Sequence, residues 1–122
     1  MVEMTTQTMN NLDLICFKYG TDIPIAGNDK NENIIQKSLG VLQEDGVFAF
    51  YLFIESLKKK DEKHLAEKIS TEIGNFLSDM NLIGNWSLDA FKSLGSNLND
   101  LFLAKTLIEK TLIYALYHAK AK

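Results

Sequence analysis

The residues able to do chemistry are few and lie far apart. Cys16, His64 and His118 are the single cysteine and the two histidines. Zinc sites need three or four ligands, usually in closely spaced pairs, and these three have no paired spacing. The sequence therefore predicts no metal site and no cofactor. Cys16 sits on the apolar stripe of a helical pattern with no base beside it, because Lys18 at i+2 points elsewhere. That predicts a packed thiol rather than a nucleophile. No G-x-S-x-G turn, phosphate-binding loop or dinucleotide glycine pattern occurs. Glu44-Asp45 precedes Gly46, a candidate helix break, and lacks the spaced ladder of a calcium loop. The expectation is a non-enzyme.

Two basic clusters remain. Lys58, Lys59, Lys60 and Lys63 form the denser one, diluted by Asp61 and Glu62. Lys110, His118, Lys120 and Lys122 form the second, and no acid follows Lys110. Each reads either as a solvated helix end or as a contact for a phosphate backbone, the second with Tyr114 or Tyr117 available for stacking. There are thirteen lysines and no arginine, against sixteen acids, for a net charge of -3. Residues 1–57 carry three lysines and eight acids, whereas residues 58–122 carry ten lysines and eight acids. Without the planar arginine fork, any nucleic-acid contact is expected to reach phosphates and not read bases. The acidic total makes a poor stand-alone binder.

Phe48, Phe50, Tyr51 and Phe53 place four aromatics in six residues. A helix cannot bury all four on one face, so this segment, together with Tyr117, is a candidate protein interface.

The elements that position these groups read as helices. Leu12, Ile15, Cys16 and Tyr19 recur at i, i+3, i+4, i+7, predicting a helix over Met4–Tyr19 stopped by Gly20. Thr21 to Asn33 reads as a loop, with Asp29 or Asn31 capping the next helix. That helix carries Ile34, Ile35, Leu39 and Leu42, and it either breaks at Gly46 or runs through it. Residues 46–54 are ambiguous between buried strand and buried helix. Helix is preferred, because the run flows into Lys58–Lys60 without a turn signal and no second strand is available.

Asp61 is a candidate cap for a helix bearing Leu65, Ile69, Ile73, Phe76, Leu77 and Met80, with His64 at its third position. Ser87 caps a short helix that Gly95 closes, and Ser96 or Asn97 starts a long last helix from about Leu98. That last helix is apolar nearly all round, which predicts a central position or cover by another chain. The expected architecture is all-α: one domain over 1–122, a bundle of about five helices with a long C-terminal one. The chain's 13.8 kDa and 46% hydrophobic residues suit one folded domain. No apolar run reaches the ~18 residues of a membrane span and no signal peptide is evident. The lone cysteine suits a reducing compartment, so a cytoplasmic location is expected.

Leu39-Gly40-Val41-Leu42-Gln43, followed by Val47-Phe48-Ala49-Phe50-Tyr51-Leu52-Phe53, resembles a segment of the small α-helical subunit of type III CRISPR effector complexes, the Cmr type in particular. Thr106 to Ala119 is similar to that family's closing helix. Together the two stretches cover about a quarter of the chain. The resemblance implies a non-catalytic ribonucleoprotein subunit in antiviral defence. It would stack with copies of itself, contact other effector subunits and help hold guide or target RNA through its backbone. The lysines after the matched helix and those of the closing helix are the implied contacts. The family often presents arginines there, and this chain has none. From the residues alone, a small helical adaptor or a virus-encoded inhibitor acting without nucleic acid fits as well.

Overall fold

The structure is a computed structural model that describes residues 2–23, 29–60 and 62–122. Among them there are six helices and no strand: α1 (Val2–Asp22), α2 (Asp29–Asp45), α3 (Val47–Leu57), α4 (Lys63–Asp79), α5 (Leu88–Leu94) and α6 (Leu98–Ala121). The all-helical expectation holds, with one helix more than the five predicted.

α1 passes straight through Gly20, which was expected to end it. The glycine is instead where α1 crosses α6. A Cβ built on it would lie 2.6 Å from the Thr111 carbonyl oxygen and 2.8 Å from the Tyr114 Cβ. The two helices run in the same direction, with Asp13 beside Lys110, Phe17 beside Tyr114 and Gly20 against Thr111, Tyr114 and Ala115. α2 begins at Asp29, so Asn31 lies within its first turn rather than capping it. Glu32 adds negative charge near its positive end. Of the expected loop, residues 24–28 lie outside the described residues.

Gly46 decides the next boundary. Its φ of 96° is open to glycine and unfavourable for residues with a Cβ, so α2 stops there and α3 restarts at Val47. The 46–54 stretch is helical from Val47, with Val47, Phe50, Tyr51, Ile54 and Leu57 turned inward. The lysines at 58–60 follow α3 rather than forming its last turn, and Lys58 is the C-cap. The cap of α4 falls on Glu62, which makes no side-chain cap bond, and His64 is therefore the second helical residue. Asp61 lies outside the described residues.

The two remaining caps form as their residue types dictate. The Ser87 hydroxyl accepts from the Ala90 N–H at 3.1 Å, and the Asn97 side chain accepts from the Asp100 N–H at 3.1 Å. Gly95 closes α5 in a right-handed conformation. Its reason for being glycine is space, because an added Cβ would meet the Phe48 ring tip at 2.6 Å.

One apolar cluster joins α2 to α6, built around Phe50, Ile54, Ile69, Ile73, Ile108 and Leu112. The face of α6 that carries Ala104, Ile108, Leu112, Ala115 and Ala119 is buried in it. α6 packs against α1, α2, α3 and α4, so its broad apolar surface is mostly explained by a central position. A second, smaller cluster gathers Cys16 of α1, Phe76 of α4 and Leu107 of α6.

Candidate interaction surfaces

The aromatic segment divides sharply. Phe50 and Tyr51 are buried, with Tyr51 packed against Phe91 and Trp86. That corrects the reading of Phe50 as an interface residue, while Tyr51 reaches the surface only as the floor of a groove. Phe53 is partly buried against the core. Phe48 is 45% exposed and Tyr117 is 65% exposed. One turn beyond Phe48 on the same face of α3 lies Leu52, 58% exposed. Phe48 and Leu52, with Leu88 and Lys92 of α5, line an apolar groove of about 210 Å3 floored by Tyr51 and Phe91. The sequence reading missed Leu52 and Leu88. The i, i+4 spacing of Phe48 and Leu52 was the available signal, but α5 had to be placed to make a groove of it.

A further exposed apolar patch lies on the first turns of α6, where Leu98 and Phe102 are four residues apart. Leu14 and Phe17 of α1 are half-exposed, with Phe17 edge-on to Tyr114 at 5.4 Å.

The first lysine cluster is positioned by the α3–α4 turn. Lys58 is partly buried. Its Nζ lies 2.7 Å from a Glu55 carboxylate oxygen and 5.6 Å from the Trp86 ring centroid. Lys59 and Lys60 are exposed. Lys63 is exposed, and its contact with Glu67 one turn on is loose, at 3.9 Å. The turn thus presents Lys59, Lys60 and Lys63 to solvent while Lys58 is held against the fold.

The second cluster changes character. Lys110 donates to the Asp13 carboxylate at 2.7 Å, and the Tyr114 hydroxyl donates to the same oxygen at 2.8 Å. The acid missing from the C-terminal sequence is supplied by α1, so Lys110 is engaged in holding two helices together. Lys120 and Lys122 remain exposed at the end of α6. His118 is partly buried, and its Nδ1 has no hydrogen-bond partner among the described residues.

These pairings shift proton affinities. The Lys110 and Tyr114 hydrogen bonds hold the Asp13 carboxyl below its usual range. Its depressed pKa means the contribution is present above the unfolded value of 3.8 and lost as pH falls through the lower folded value. On the other side of α1, the Tyr19 hydroxyl donates to Asp79, and its ring stacks on Phe76 at 4.7 Å. The Asp79 hydrogen bond, then burial, pushes the Tyr19 phenol up to about 12. A raised pKa reverses the sign: this contribution is complete below the ordinary value of 10 and is lost as pH climbs through about 12. Ultraviolet titration is expected to show one tyrosine ionising near pH 12, and Tyr19→Phe is expected to remove that step. Loss of the step in Tyr51→Phe instead would contradict the assignment.

No group of three or more potential metal-ligating side chains gathers among the described residues. Cys16 is buried between α1 and α6, its thiol 3.8 Å from the Leu107 carbonyl oxygen, and burial pushes its pKa up. A packed thiol is what the stripe predicted. A concavity of about 920 Å3 lies between the 81–87 segment, α5 and the start of α6. Serines, asparagines, Asp89 and Asp100 line it, with no histidine, cysteine or lysine. No described helix is long and apolar enough to cross a membrane.

No family model matches the chain, and neither a curated protein nor a solved structure matches it significantly.

Proposed function

We propose that this chain is a non-catalytic structural subunit of a type III CRISPR ribonucleoprotein effector, working in antiviral defence. It stacks with copies of itself and meets other effector subunits through exposed apolar surfaces. A thin lysine fringe helps hold guide or target RNA by its phosphates. The observation that carries the assembly part is the groove between α3 and α5, where Phe48, Leu52 and Leu88 lie open to solvent around an apolar floor. Clustered exposed apolar side chains mark contact surfaces. The RNA part rests on Lys59, Lys60 and Lys63 at the α3–α4 turn, and on the resemblance of the 39–53 and 106–119 segments to the Cmr-type subunit.

Copurification of the tagged chain from its native host tests the reading. Recovery with RNA and other defence proteins is expected, and Phe48→Asp is expected to lose the protein partners while staying folded. Recovery of this chain alone would overturn the proposal.

One observation favours a second reading, a helical adaptor or virus-encoded inhibitor that never touches nucleic acid. Lys110 is tied to Asp13 and Lys58 to Glu55, which leaves a smaller free positive surface than the sequence promised. A salt titration of RNA binding separates the two. Under the ribonucleoprotein reading, affinity falls with salt, and replacing Lys59 and Lys60 by alanine makes the log–log slope shallower by about 0.7 for each phosphate contact removed. Under the adaptor reading, no salt-dependent RNA binding is found.

A further inference from the structure

The cleft between α1 and α4 gathers negative charge that the chain does not neutralise. Tyr19 stacks on Phe76 and donates to Asp79, and further along α1, Asp22 acts on Glu72, one turn before Phe76. The two helices therefore run antiparallel here. The cleft between them holds about 450 Å3, a volume that suits a small organic ligand. Its floor is apolar, made by Ile15, Phe76 and Met80 beside the Tyr19 ring. Its two ends are negative. α1 finishes at Asp22 and α4 at Asp79, and neither helix has a basic residue in its last turn. Antiparallel dipoles put partial negative charge at opposite ends of the cleft, where a carboxylate already stands, and a cation relieves that arrangement. Burial, and then the Asp22 charge, push the Glu72 carboxyl up, against the opposing effect of Lys68. Among the described residues no lysine forms an ion pair with Asp22, Glu72 or Asp79.

These carboxylates are spread along the cleft and do not gather as metal ligands. Glu72 and Asp79 stand about 10 Å apart along the α4 axis, at 1.5 Å per residue. A compact cation satisfies one end only. A molecule with two cationic ends and an apolar stem satisfies both ends and the floor. We propose that the α1–α4 cleft binds a linear aliphatic diamine or polyamine. One ammonium group sits at Asp22 and Glu72, the other at Asp79, and the methylene stem lies over Ile15, Phe76 and the Tyr19 ring. Lys18 is the one base lining the cleft, and its charge opposes the ligand. It therefore limits the affinity that the three acids provide.

The test is titration calorimetry on the full chain at neutral pH and fixed ionic strength, with proton NMR following the aromatic rings. Cadaverine and spermidine are the probes, and butylamine and magnesium chloride are the controls. Cadaverine is expected to bind at least about tenfold more tightly than butylamine, because its second ammonium adds a charged hydrogen bond. The Tyr19 and Phe76 ring resonances are expected to shift together as it binds. Asp22→Asn and Glu72→Gln are each expected to weaken binding about threefold, and Lys18→Gln to tighten it by a similar factor. The opposite sign of the Lys18 change separates a charge effect from damage to the fold. Absence of binding by both amines would overturn the proposal. Equal binding of butylamine would remove the two-ended site, and competition by magnesium as strong as that of spermidine would reduce it to diffuse screening. Unaltered affinity in both acid variants, or weaker binding by Lys18→Gln, would overturn it too.

Discussion

Gly20→Ala is expected to destabilise the protein by about 1–3 kcal/mol, the range for forcing atoms into a packed site. Alanine is the better helix former by about 1 kcal/mol, and a glycine in mid-helix with room around it would show that gain. Here the space is taken. The new Cβ would sit 2.6 Å from the Thr111 carbonyl oxygen, 2.8 Å from the Tyr114 Cβ and 3.1 Å from the Ala115 backbone nitrogen. Two of these are backbone atoms of α6 and the third is anchored to it, so relief requires moving one helix against the other. Separation of α1 and α6 would also weaken the Phe17–Tyr114 edge contact and the Asp13–Lys110 pair. Gly40 supplies the control, because nothing lies within 4 Å of its added Cβ. Gly40→Ala is expected to be neutral or stabilising. Urea unfolding of the two variants checks both signs, and a neutral Gly20→Ala would refute the close crossing.

Phe50→Ala is expected to cost about 3–5 kcal/mol, the range for truncating a buried aromatic. Phe50 is fully buried in the main cluster, with its ring edge-on to Trp86 at 6.3 Å. Set against the roughly 5–15 kcal/mol that holds a domain folded, this is a large fraction. Thermal unfolding and the near-ultraviolet circular dichroism of Trp86 report it. Phe48, two residues earlier, gives the contrast. Its ring is 45% exposed, so Phe48→Ala is expected to change stability by less than about 1 kcal/mol. If the proposed assembly is right, Phe48→Ala acts on association instead. Equal destabilisation by the two substitutions would mean that α3 is rotated from the orientation described.

The contrast between Phe48 and Phe50 marks where sequence reading stops. The 48–53 run implied that at least one aromatic faces outward, but four candidates on eleven helical residues leave the direction of the core open. α5 settles it by covering Tyr51 through Phe91, leaving Phe48 and Leu52 at the rim of the groove. Lys110 is a similar case. Its sequence neighbourhood is free of acids on the C-terminal side, which reads as a basic face. Its partner, Asp13, is 97 residues away and becomes a neighbour only when α1 lies along α6. Of the expected contact lysines, all but Lys58 stay exposed, with Lys110 paired to Asp13 at the surface and the partly buried Lys58 paired to Glu55.

What the chain's own order of residues determined is everything whose physics is local. Helical hydrogen bonds span four residues and caps span three, so Ser87, Asn97 and the stripe from Leu65 to Leu77 could be read directly. The break at Gly46 was left open by the sequence and is fixed by the positive φ the glycine adopts in the structure. Only the tertiary structure decided what Gly20 and Gly95 are for. Gly20 seats one helix on another and Gly95 makes room for the Phe48 ring, and neither is a left-handed stop. It alone also decided which aromatics are core and which lysines are paired. These outcomes depend on excluded volume and charge between segments far apart in sequence, and periodicity within one segment carries no information about either.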